Sequence, residues 1–333
     1  FGLLFKEGHY YKVQSFLDKQ GWRDFSQPGK FHSKVMMLCK GFARRLSILL
    51  HLRSYDFVFI HREAAPLAPP VFEWLIAKIF LKKIIYDFDD AIWLTDQQHE
   101  SYFFKRLKWR SKVASICRWS YKVSCGNTYL CDFALKFNNC VVHNPTTIET
   151  EKLHAPLTTA NGKDDRLVVG WTGSHSTLKY LKLLEPVLEG FRTRYPAVEF
   201  LVIADREPPL TIKPLTFKPW DVNTEIQDLA RIDIGIMPLP DDEWSQGKCG
   251  FKALQYMALE IPTVASRVGA NTSIIDHEVN GFLASTDEEW LRYLALLAEN
   301  KSLREKIGKK GREKVVNQYS VRSNSSTFLS LFR

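Results

Sequence analysis

The chain of 333 residues carries 46 Lys/Arg against 37 Asp/Glu, a formal net charge of +9, and 45% of its residues are hydrophobic. These proportions are ordinary for a globular protein and exclude a disordered or low-complexity chain, and no run approaches the roughly 18 apolar residues of a membrane span. The length predicts two domains. The six cysteines form no CxxC pair, so we expect free thiols rather than disulfides or zinc ligands.

The first half of the chain alternates predicted strands with predicted helices. Apolar runs predict strands at 55–62, 82–88, 121–125 and 140–144, and helices at 71–80 and 127–137. Such alternation is typical of βαβ units with a parallel sheet. Residues 145–165 are polar and rich in turn formers, which predicts a linker.

The same pattern starts again after the linker. Strands are predicted at 166–171, 198–204, 232–239 and 261–266, and helices at 176–195, at 250–260 and from about 287 onward, with a break near 319–320. The NGF sequence at 280–282 predicts a turn into a further short strand. The predicted fold class is therefore α/β, with two doubly wound Rossmann-like domains facing across a cleft and C-terminal helices. We expect an N-terminal domain at 1–160, a C-terminal domain at 161–318, and a last helix at 319–333 that crosses back to the first domain.

The positive charge belongs to the first half. Residues 1–160 hold 23 Lys/Arg and 14 Asp/Glu, whereas residues 161–333 hold 23 of each. Basic residues are interleaved with Phe and Trp at 103–122, a pattern typical of proteins that bind an anionic membrane surface. A nucleic-acid surface and an ordinary solvated helix face are the alternatives.

Two glycine-containing turns lead from strands into helices. In GWTGSHSTLKYL (170–181), Gly173 permits close approach, Ser174, Ser176 and Thr177 supply hydroxyls, and Lys179 supplies charge. Free N–H groups at a helix start attract phosphate, although simple capping by Ser176 also accounts for this turn.

The second turn, WSQGKCGFKALQYMALE (244–260), places Lys248 and Lys252 near a helix start. Cations there oppose the helix dipole, so an anion such as a diphosphate between them is the better explanation. Gln255, one turn further on, is expected to hydrogen-bond a sugar hydroxyl. Gly269 and Asn271 follow a later strand and predict a turn near the same sheet edge.

An acidic segment, YDFDDAIW (86–93), ends the second strand of the first half. Its carboxylates suit Mg²⁺, the binding of an acceptor hydroxyl or a role as general base, or merely the cap of a helix. The HRE sequence at 61–63 ends the preceding strand and is expected at the same edge. His61 there is either a binding residue or a satisfied core histidine.

Together these segments resemble the retaining glycosyltransferases of family 4, which have the two-domain GT-B fold. The resemblance runs from about residue 55 to residue 319 and is most specific at DIGIMPLPDDEWSQGKCGFKALQYMALEIPTVASRVGANTSIIDHEVNGFLA. Lys179 falls where the family has a lysine that neutralises the donor diphosphate, and Ser174 stands where many members have arginine. Of the family's two spaced glutamates, the one near the donor sugar is replaced by Gly247 and the one that holds ribose by Gln255.

The resemblance also assigns roles to the segments above. It implies that Lys179 and Lys252, with Asp89 and Asp90, act in catalysis, Asp89 standing about where the family has its acceptor-side histidine. His61, Arg62 and Glu63 are expected to bind the acceptor. The donor is expected to contact a wider set: Gly173, Ser174, Thr177, Lys248, Gly250, Phe251, Gln255, Gly269 and Asn271. The family's first strand and glycine-rich loop have no match in the sequence and would precede Phe1.

The implied function is transfer of a sugar from a UDP- or GDP-linked donor, with retention, to a lipid-linked or surface-glycan acceptor. No cofactor and no metal are expected. The implied setting is the cytoplasmic face of an anionic membrane, to which the protein binds peripherally, without nucleic acid. A nucleotide-sugar-binding protein without transfer activity and a nucleotide-sugar epimerase of the same fold are the alternatives.

Overall fold

The computed structural model describes residues 2–26, 29, 31–95, 106–156 and 166–333. The chain divides into two compact units. Unit 1 comprises Phe1–Asn144 with Ser325–Arg333, and unit 2 comprises Pro145–Asn324. The chain thus enters unit 2 at residue 145 and leaves it at residue 324. The boundary predicted at residue 160 and the linker residues 157–165 lie outside the described residues.

Unit 1 is built on a parallel sheet whose strands lie where the apolar runs predict them. They are β1 (Phe57–His61), β2 (Lys83–Phe88), β3 (Lys122–Cys125) and β4 (Val141–His143). In the described part of this unit the strands lie side by side in chain order, β1-β2-β3-β4. His61 is paired with Asp87, and Cys125 with His143, so the carboxyl ends of the strands share one edge.

The helices of unit 1 that precede or link these strands are α1 (Gly2–Lys6), α2 (Lys19–Ser26), α3 (Phe31–Leu49), α4 (Val71–Trp74), α5 (Lys112–Trp119) and α6 (Thr128–Leu135). A π-helical turn, Leu75–Ile79, continues α4 and completes the helix predicted at 71–80. Asn127 caps α6 by accepting a hydrogen bond from Leu130 N–H. Among the described helices, including the 19-residue α3, none is both long and apolar enough to span a bilayer.

Unit 2 contains the second parallel sheet. Its strands are β5 (Val168–Gly173), β6 (Glu199–Ala204), β7 (Leu215–Pro219), β8 (Ile234–Met237), β9 (Thr263–Ser266) and β10 (Phe282–Ala284). Their order is β10-β9-β8-β5-β6-β7. After β5, the chain adds β6 and β7 on one side of β5 and then β8, β9 and β10 on the other side. The direction therefore reverses between β5 and β8, and ligands bind outside the carboxyl ends of strands at such a reversal. The α/β prediction with two parallel sheets is confirmed.

The helices of unit 2 are α7 (Leu178–Leu183), α8 (Glu185–Arg194), α9 (Glu225–Leu229), α10 (Glu243–Gln246), α11 (Phe251–Ala258), α12 (Asn271–Ile274), α13 (Asp287–Glu299) and α14 (Lys301–Lys314). The single helix predicted over 176–195 is wrong, because the segment breaks at Leu184. Pro186 lacks an N–H and is accommodated only in the first turn of a helix, so a new helix starts just before it.

The core of unit 2 lies on both faces of its sheet. On one face, Trp171 of β5 packs with Phe191 of α8 and with α13. On the other face, Tyr256 of α11 packs with Leu229 of α9. Gly235 of β8 faces the Tyr256 ring closely enough that any side chain there would overlap it, so α11 sits directly on the sheet. This close packing of α11 on β8 holds the start of α11 at the edge of the sheet.

The tail of the chain packs in unit 1. A π-helical turn, Val315–Tyr319, ends the helical run of unit 2, and α15 (Ser325–Ser330) follows. The Phe332 ring lies 5.8 Å from the ring of Phe57 and 6.2 Å from that of Phe59, both on β1. Lys122 of β3 donates to the carbonyl oxygens of Ser330 and Arg333. The last residues thus cover the first strand of the unit 1 sheet.

Candidate functional site

The turn that follows β5 lies at the point where the unit 2 sheet reverses. Thr177 N–H donates to Ser174 O at 2.9 Å, and the Thr177 hydroxyl accepts from Ser174 N–H at 3.3 Å. Ser174 and Thr177 thus form a reciprocal capping box at the entry to α7. Of the three predicted hydroxyls, those of Ser174 and Thr177 belong to this capping box, and the Ser174 hydroxyl also lies 2.9 Å from that of Ser176.

Asp205 at the end of β6 fixes this turn from the side. Its carboxylate accepts from His175 N–H at 2.5 Å and contacts His175 Nδ1 at 2.6 Å. Burial raises the pKa of Asp205, but the two hydrogen bonds from His175 outweigh burial and hold that pKa below its ordinary value. Asp205 has no local signal in the sequence, because its role depends on a contact between two strand ends.

Lys252, in the first turn of α11, reaches the end of β5. A Cβ placed on Gly173 would lie 2.8 Å from Lys252 Cε and 2.6 Å from Trp171 Cζ2. Lys252 Nζ also lies 5.5 Å from the centroid of the Trp171 ring. The two glycine-containing turns predicted to bind phosphate are therefore adjacent, and Gly173 is needed because the lysine and the indole occupy its side-chain space.

Two loops meet at the start of α11. Gly250, the N-cap residue, has φ of +69°, and a Cβ on it would overlap Ile274 Cδ1. Gly269 has φ of +53°, and a Cβ on it would lie 2.9 Å from Ser245 O. Both glycines are thus required by backbone conformation as well as by space. Phe251, the first residue of α11, is exposed.

Three polar atoms in these loops are buried without a hydrogen-bond partner in the described part of the chain: Trp244 Nε1, Ser245 Oγ and Asn271 Oδ1. Asn271 uses only its amide nitrogen, which donates to Ser266 O. Buried unpaired groups are rare in folded proteins. Their concentration beside the start of α11 marks this corner as one where a bound polar group or water would gain hydrogen bonds.

The other predicted cations lie over aromatic rings. Lys248 Nζ is 4.7 Å from the centroid of the Trp244 ring, and Lys179 Nζ is 5.2 Å from that of Tyr180. Lys179 is exposed in the first turn of α7. Among the three predicted donor-site cations, Lys252 is the one that the structure brings against Gly173.

Gln255, expected to contact a sugar hydroxyl, is buried in α11. Its Nε2 donates to Glu225 Oε1 at 3.0 Å. Glu225 begins α9 and is only partly buried. Glu225 has no local signal in the sequence, because β7, which precedes it, is a short edge strand with no clear hydrophobic pattern.

The carboxyl edge of the unit 1 sheet holds the predicted acceptor-side residues. His61 Nδ1 contacts Asp87 Oδ2 at 2.7 Å, and Asp87 Oδ1 accepts from the Ser124 hydroxyl at 2.6 Å. The hydrogen bond to Asp87 raises the pKa of His61 above its ordinary value, although burial opposes it. The other ring nitrogen, Nε2, lies 3.9 Å from Asp89 Oδ1. His61 is thus a half-exposed imidazole oriented by a carboxylate.

The remaining predicted residues of this edge are held in ion pairs. Arg62 contacts Asp89 at 2.7 Å and Asp90 at 2.8 Å, and its φ of +62° is unusual for a residue other than glycine. Glu63 contacts the buried ammonium group of Lys112 at 2.6 Å. Asp89 and Asp90 are therefore neutralised by arginine. The described residues contain no group of three or more His, Cys, Asp or Glu side chains arranged to hold a metal ion.

Comparisons with known proteins concern one segment of the sequence and the fold of the chain. Residues 220–314, which span α9 to α14, match the family model described as "Glycosyl transferases group 1". Sucrose-phosphate synthase from Thermosynechococcus elongatus is 15% identical with a TM-score of 0.68, over 90% of this chain and 78% of that one. HepE from Anabaena, solved with UDP and glucose, is 14% identical with a TM-score of 0.67, over 86% of this chain and 80% of that one.

A glycosyltransferase from Rickettsia africae is 14% identical with a TM-score of 0.66, over 99% of this chain and 86% of that one. At these identities the similarity concerns the fold. The two parallel-sheet units have the fold of GT-B glycosyltransferases, and residues 220–314 carry the glycosyl transferases group 1 segment.

Proposed function

We propose that the protein transfers a sugar from a nucleoside diphosphate sugar to an acceptor hydroxyl with retention of anomeric configuration. The observation that carries this proposal is the position of Lys252, whose side chain occupies the space beside Gly173 at the reversal point of the unit 2 sheet. There a cation, a glycine turn and the start of α11 converge where a diphosphate would bind. The group 1 segment at 220–314 supports the same assignment.

In the proposed reaction, the bond between the sugar C1 and the β-phosphate oxygen breaks and a bond from C1 to the acceptor oxygen forms. The acceptor proton passes to the departing phosphate. Lys252 stabilises the negative charge that develops on the leaving nucleoside diphosphate, aided by Lys179 and Lys248. Such preorganised electrostatic stabilisation is usually the largest single contribution to catalysis of this kind.

The acceptor side is proposed to lie in unit 1, around His61. Asp87 holds His61 by its Nδ1 atom, so Nε2 is the ring nitrogen presented to an acceptor hydroxyl. Asp89 and Asp90, held by Arg62, contribute hydrogen-bond acceptors beside it. No metal is required in this proposal, because lysine charges serve the diphosphate. A UDP or GDP donor is proposed, and HepE, of similar fold, was solved with UDP-glucose.

The acceptor is proposed to be lipid-linked or part of a surface glycan, at the cytoplasmic face of an anionic membrane. Unit 1, with its C-terminal tail, holds 23 Lys/Arg against 12 Asp/Glu. On α3, Val35, Met36 and Leu46 are exposed apolar side chains, and the basic residues Lys40 and Arg44 are exposed beside them. An apolar helix face flanked by cations fits the interface of an anionic bilayer better than nucleic acid.

The enzymatic proposal is tested with a panel of UDP- and GDP-sugars and a lipid-linked acceptor extract, by measuring release of nucleoside diphosphate. Acceptor-dependent release that persists in EDTA is expected, and NMR of the product should show the donor's anomeric configuration. Binding without release would instead identify a nucleotide-sugar-binding protein. Conversion of the donor without acceptor would identify an epimerase.

The membrane proposal is tested separately by sedimentation with vesicles. The protein is expected to bind vesicles that contain anionic lipid and not neutral ones. Leu46→Glu should weaken that binding, whereas Leu183→Glu, at a similarly exposed leucine of unit 2, should not. Equal binding by the two variants would contradict the assignment to α3.

A further inference from the structure

We propose that Glu225 binds the ribose hydroxyls of the donor nucleotide and that Gln255 is the positioning residue that holds it in place. This inference rests on the proposed function, because it takes the donor to be a nucleoside diphosphate bound at the start of α11. It changes the role expected for Gln255 from binding the sugar to orienting a carboxylate.

The contact between the two side chains carries the proposal. Gln255 Nε2 donates to Glu225 Oε1 at 3.0 Å, and this hydrogen bond joins α11 to the first residue of α9. Gln255 is 3% exposed, whereas Glu225 is only partly buried. The amide is therefore enclosed and the carboxylate is the member of the pair that a ligand can reach. An ionised carboxylate has about four acceptor sites, so this one contact leaves capacity for hydroxyl donors.

The packing of the two helices fixes where this carboxylate lies. Leu229 of α9 packs with Tyr256 of α11 on one face of the sheet, and Ile226 packs against the same cluster. Both helices begin at the carboxyl ends of the strands, since α9 follows β7 and α11 follows β8. Glu225 is thus held at the edge where the phosphate-binding turns converge.

The spacing along α11 suits a nucleotide. Gln255 lies four residues after Phe251, which places it about 6 Å further along the helix axis. In a nucleoside diphosphate the ribose is joined directly to the α-phosphate. A diphosphate at Gly173 and Lys252 would therefore place the ribose beside the Gln255–Glu225 pair. In other nucleotide-binding Rossmann units a carboxylate likewise accepts hydrogen bonds from ribose hydroxyls.

A buried histidine, His154, lies near the Glu225 carboxylate but forms no hydrogen bond with it. His154 is 4% exposed, and neither of its ring nitrogens has a hydrogen-bond partner among the described residues. The charge of Glu225 raises the pKa of His154, although burial outweighs it and lowers that pKa overall. Because the two groups form no hydrogen bond, Glu225 is held through Gln255 and not through the imidazole.

The experiment measures binding of UDP and GDP to the full chain by calorimetry, and then compares the tighter of the two with its 2′-deoxy and 3′-deoxy analogues. Wild type is expected to bind at least one deoxy analogue about 10- to 100-fold more weakly, the scale of a hydrogen bond to a charged group. Glu225→Gln should bind the ribonucleotide about tenfold more weakly or worse. That variant should also discriminate less than about threefold between the ribonucleotide and the deoxy analogue.

Three further variants separate recognition from folding. Glu225→Gln keeps an oxygen that can accept from Gln255, so the helix contact survives. The double variant Glu225→Gln with Gln255→Glu restores one carboxylate and one amide, and is expected to recover discrimination. Gln255→Glu alone places two carboxylates in contact and should weaken binding. Glu189→Gln, on the exposed part of α8, is the matched control and should behave as wild type.

The outcomes distinguish this inference from the proposed function. If wild type binds neither UDP nor GDP, the proposed function fails and this inference falls with it. If wild type binds one of them and Glu225→Gln keeps full discrimination, only the role of Glu225 is overturned. Equal affinity of wild type for the ribonucleotide and both deoxy analogues would also overturn the role of Glu225.

Discussion

Replacing Gly173 by alanine tests the contact on which the donor site depends. The added methyl group would lie 2.6 Å from Trp171 Cζ2 and 2.8 Å from Lys252 Cε, well inside normal carbon–carbon contact. Trp171 is 1% exposed and packs in the core, so its ring has no space to move away. The flexible end of Lys252 can move, but only by leaving its place beside β5.

Overpacking of this kind costs about 1–3 kcal/mol. For a unit of this size, roughly 2 kcal/mol lowers the melting temperature by about 4–8 °C. Differential scanning calorimetry of the full chain measures that shift in the transition of unit 2. Binding of UDP or GDP should weaken by about tenfold or more in addition, because the displaced ammonium group no longer faces the turn after β5.

Gly190→Ala provides the matched control. A Cβ on Gly190 would meet only Leu291, at 3.7 Å, and Gly190 lies within α8. Alanine there should leave stability unchanged or raise it by up to about 1 kcal/mol, and should not change nucleotide binding. If Gly173→Ala melts and binds nucleotide like Gly190→Ala, the close approach of Trp171 and Lys252 to β5 is refuted.

Three other predictions concern the charged groups. Lys252→Met should lower the rate of sugar transfer on the order of 10²-fold with little change in melting temperature; an unchanged rate would remove Lys252 from catalysis. Asp89→Asn should reduce the rate of sugar transfer, measured by product release, more than it reduces donor affinity, measured by calorimetry. Equal losses of rate and affinity would indicate a structural role for Asp89. Because its pKa is raised, protonated His61 contributes stability below its ordinary pKa of about 6.5 that is lost as the pH rises through the folded value. Asp87→Asn should therefore lower the His61 pKa in an NMR titration, and an unchanged titration would contradict the Asp87 contact.

Much of the fold follows from apolar runs alone. β1 to β4 and β5, β6, β8 and β9 lie within about two residues of the predicted strands, because buried parallel strands leave a continuous apolar signal. β7 gave no such signal: it is an edge strand of partly exposed residues that ends in a proline. The break between α7 and α8 was present in the sequence as Pro186, but the helical period on both sides of it concealed the boundary.

The candidate site was less accessible from the sequence. The glycine turns and Lys252 are recognisable in the sequence because their chemistry is local, and a positive charge at a helix start is itself unusual. Asp205 and Glu225 are not recognisable in the sequence, because each contacts a residue 30 positions away. Arg62 was expected to bind acceptor, and its two contacts with Asp89 and Asp90 depend on the register of β1 and β2. Roles of this kind exist only after the sheet has formed.

The return of the tail to β1 has a consequence for biosynthesis. All of unit 2 is inserted into unit 1, between residues 144 and 325. During translation, the whole of unit 2 has emerged before Phe328 and Phe332 can cover Phe57 and Phe59. Because translation adds about 5–20 residues per second, the aromatic side chains of β1 stay uncovered for tens of seconds until Phe328 and Phe332 are made. Unit 2 can therefore finish folding before unit 1, and a ribosome stalled near residue 324 would present an uncovered aromatic strand to chaperones.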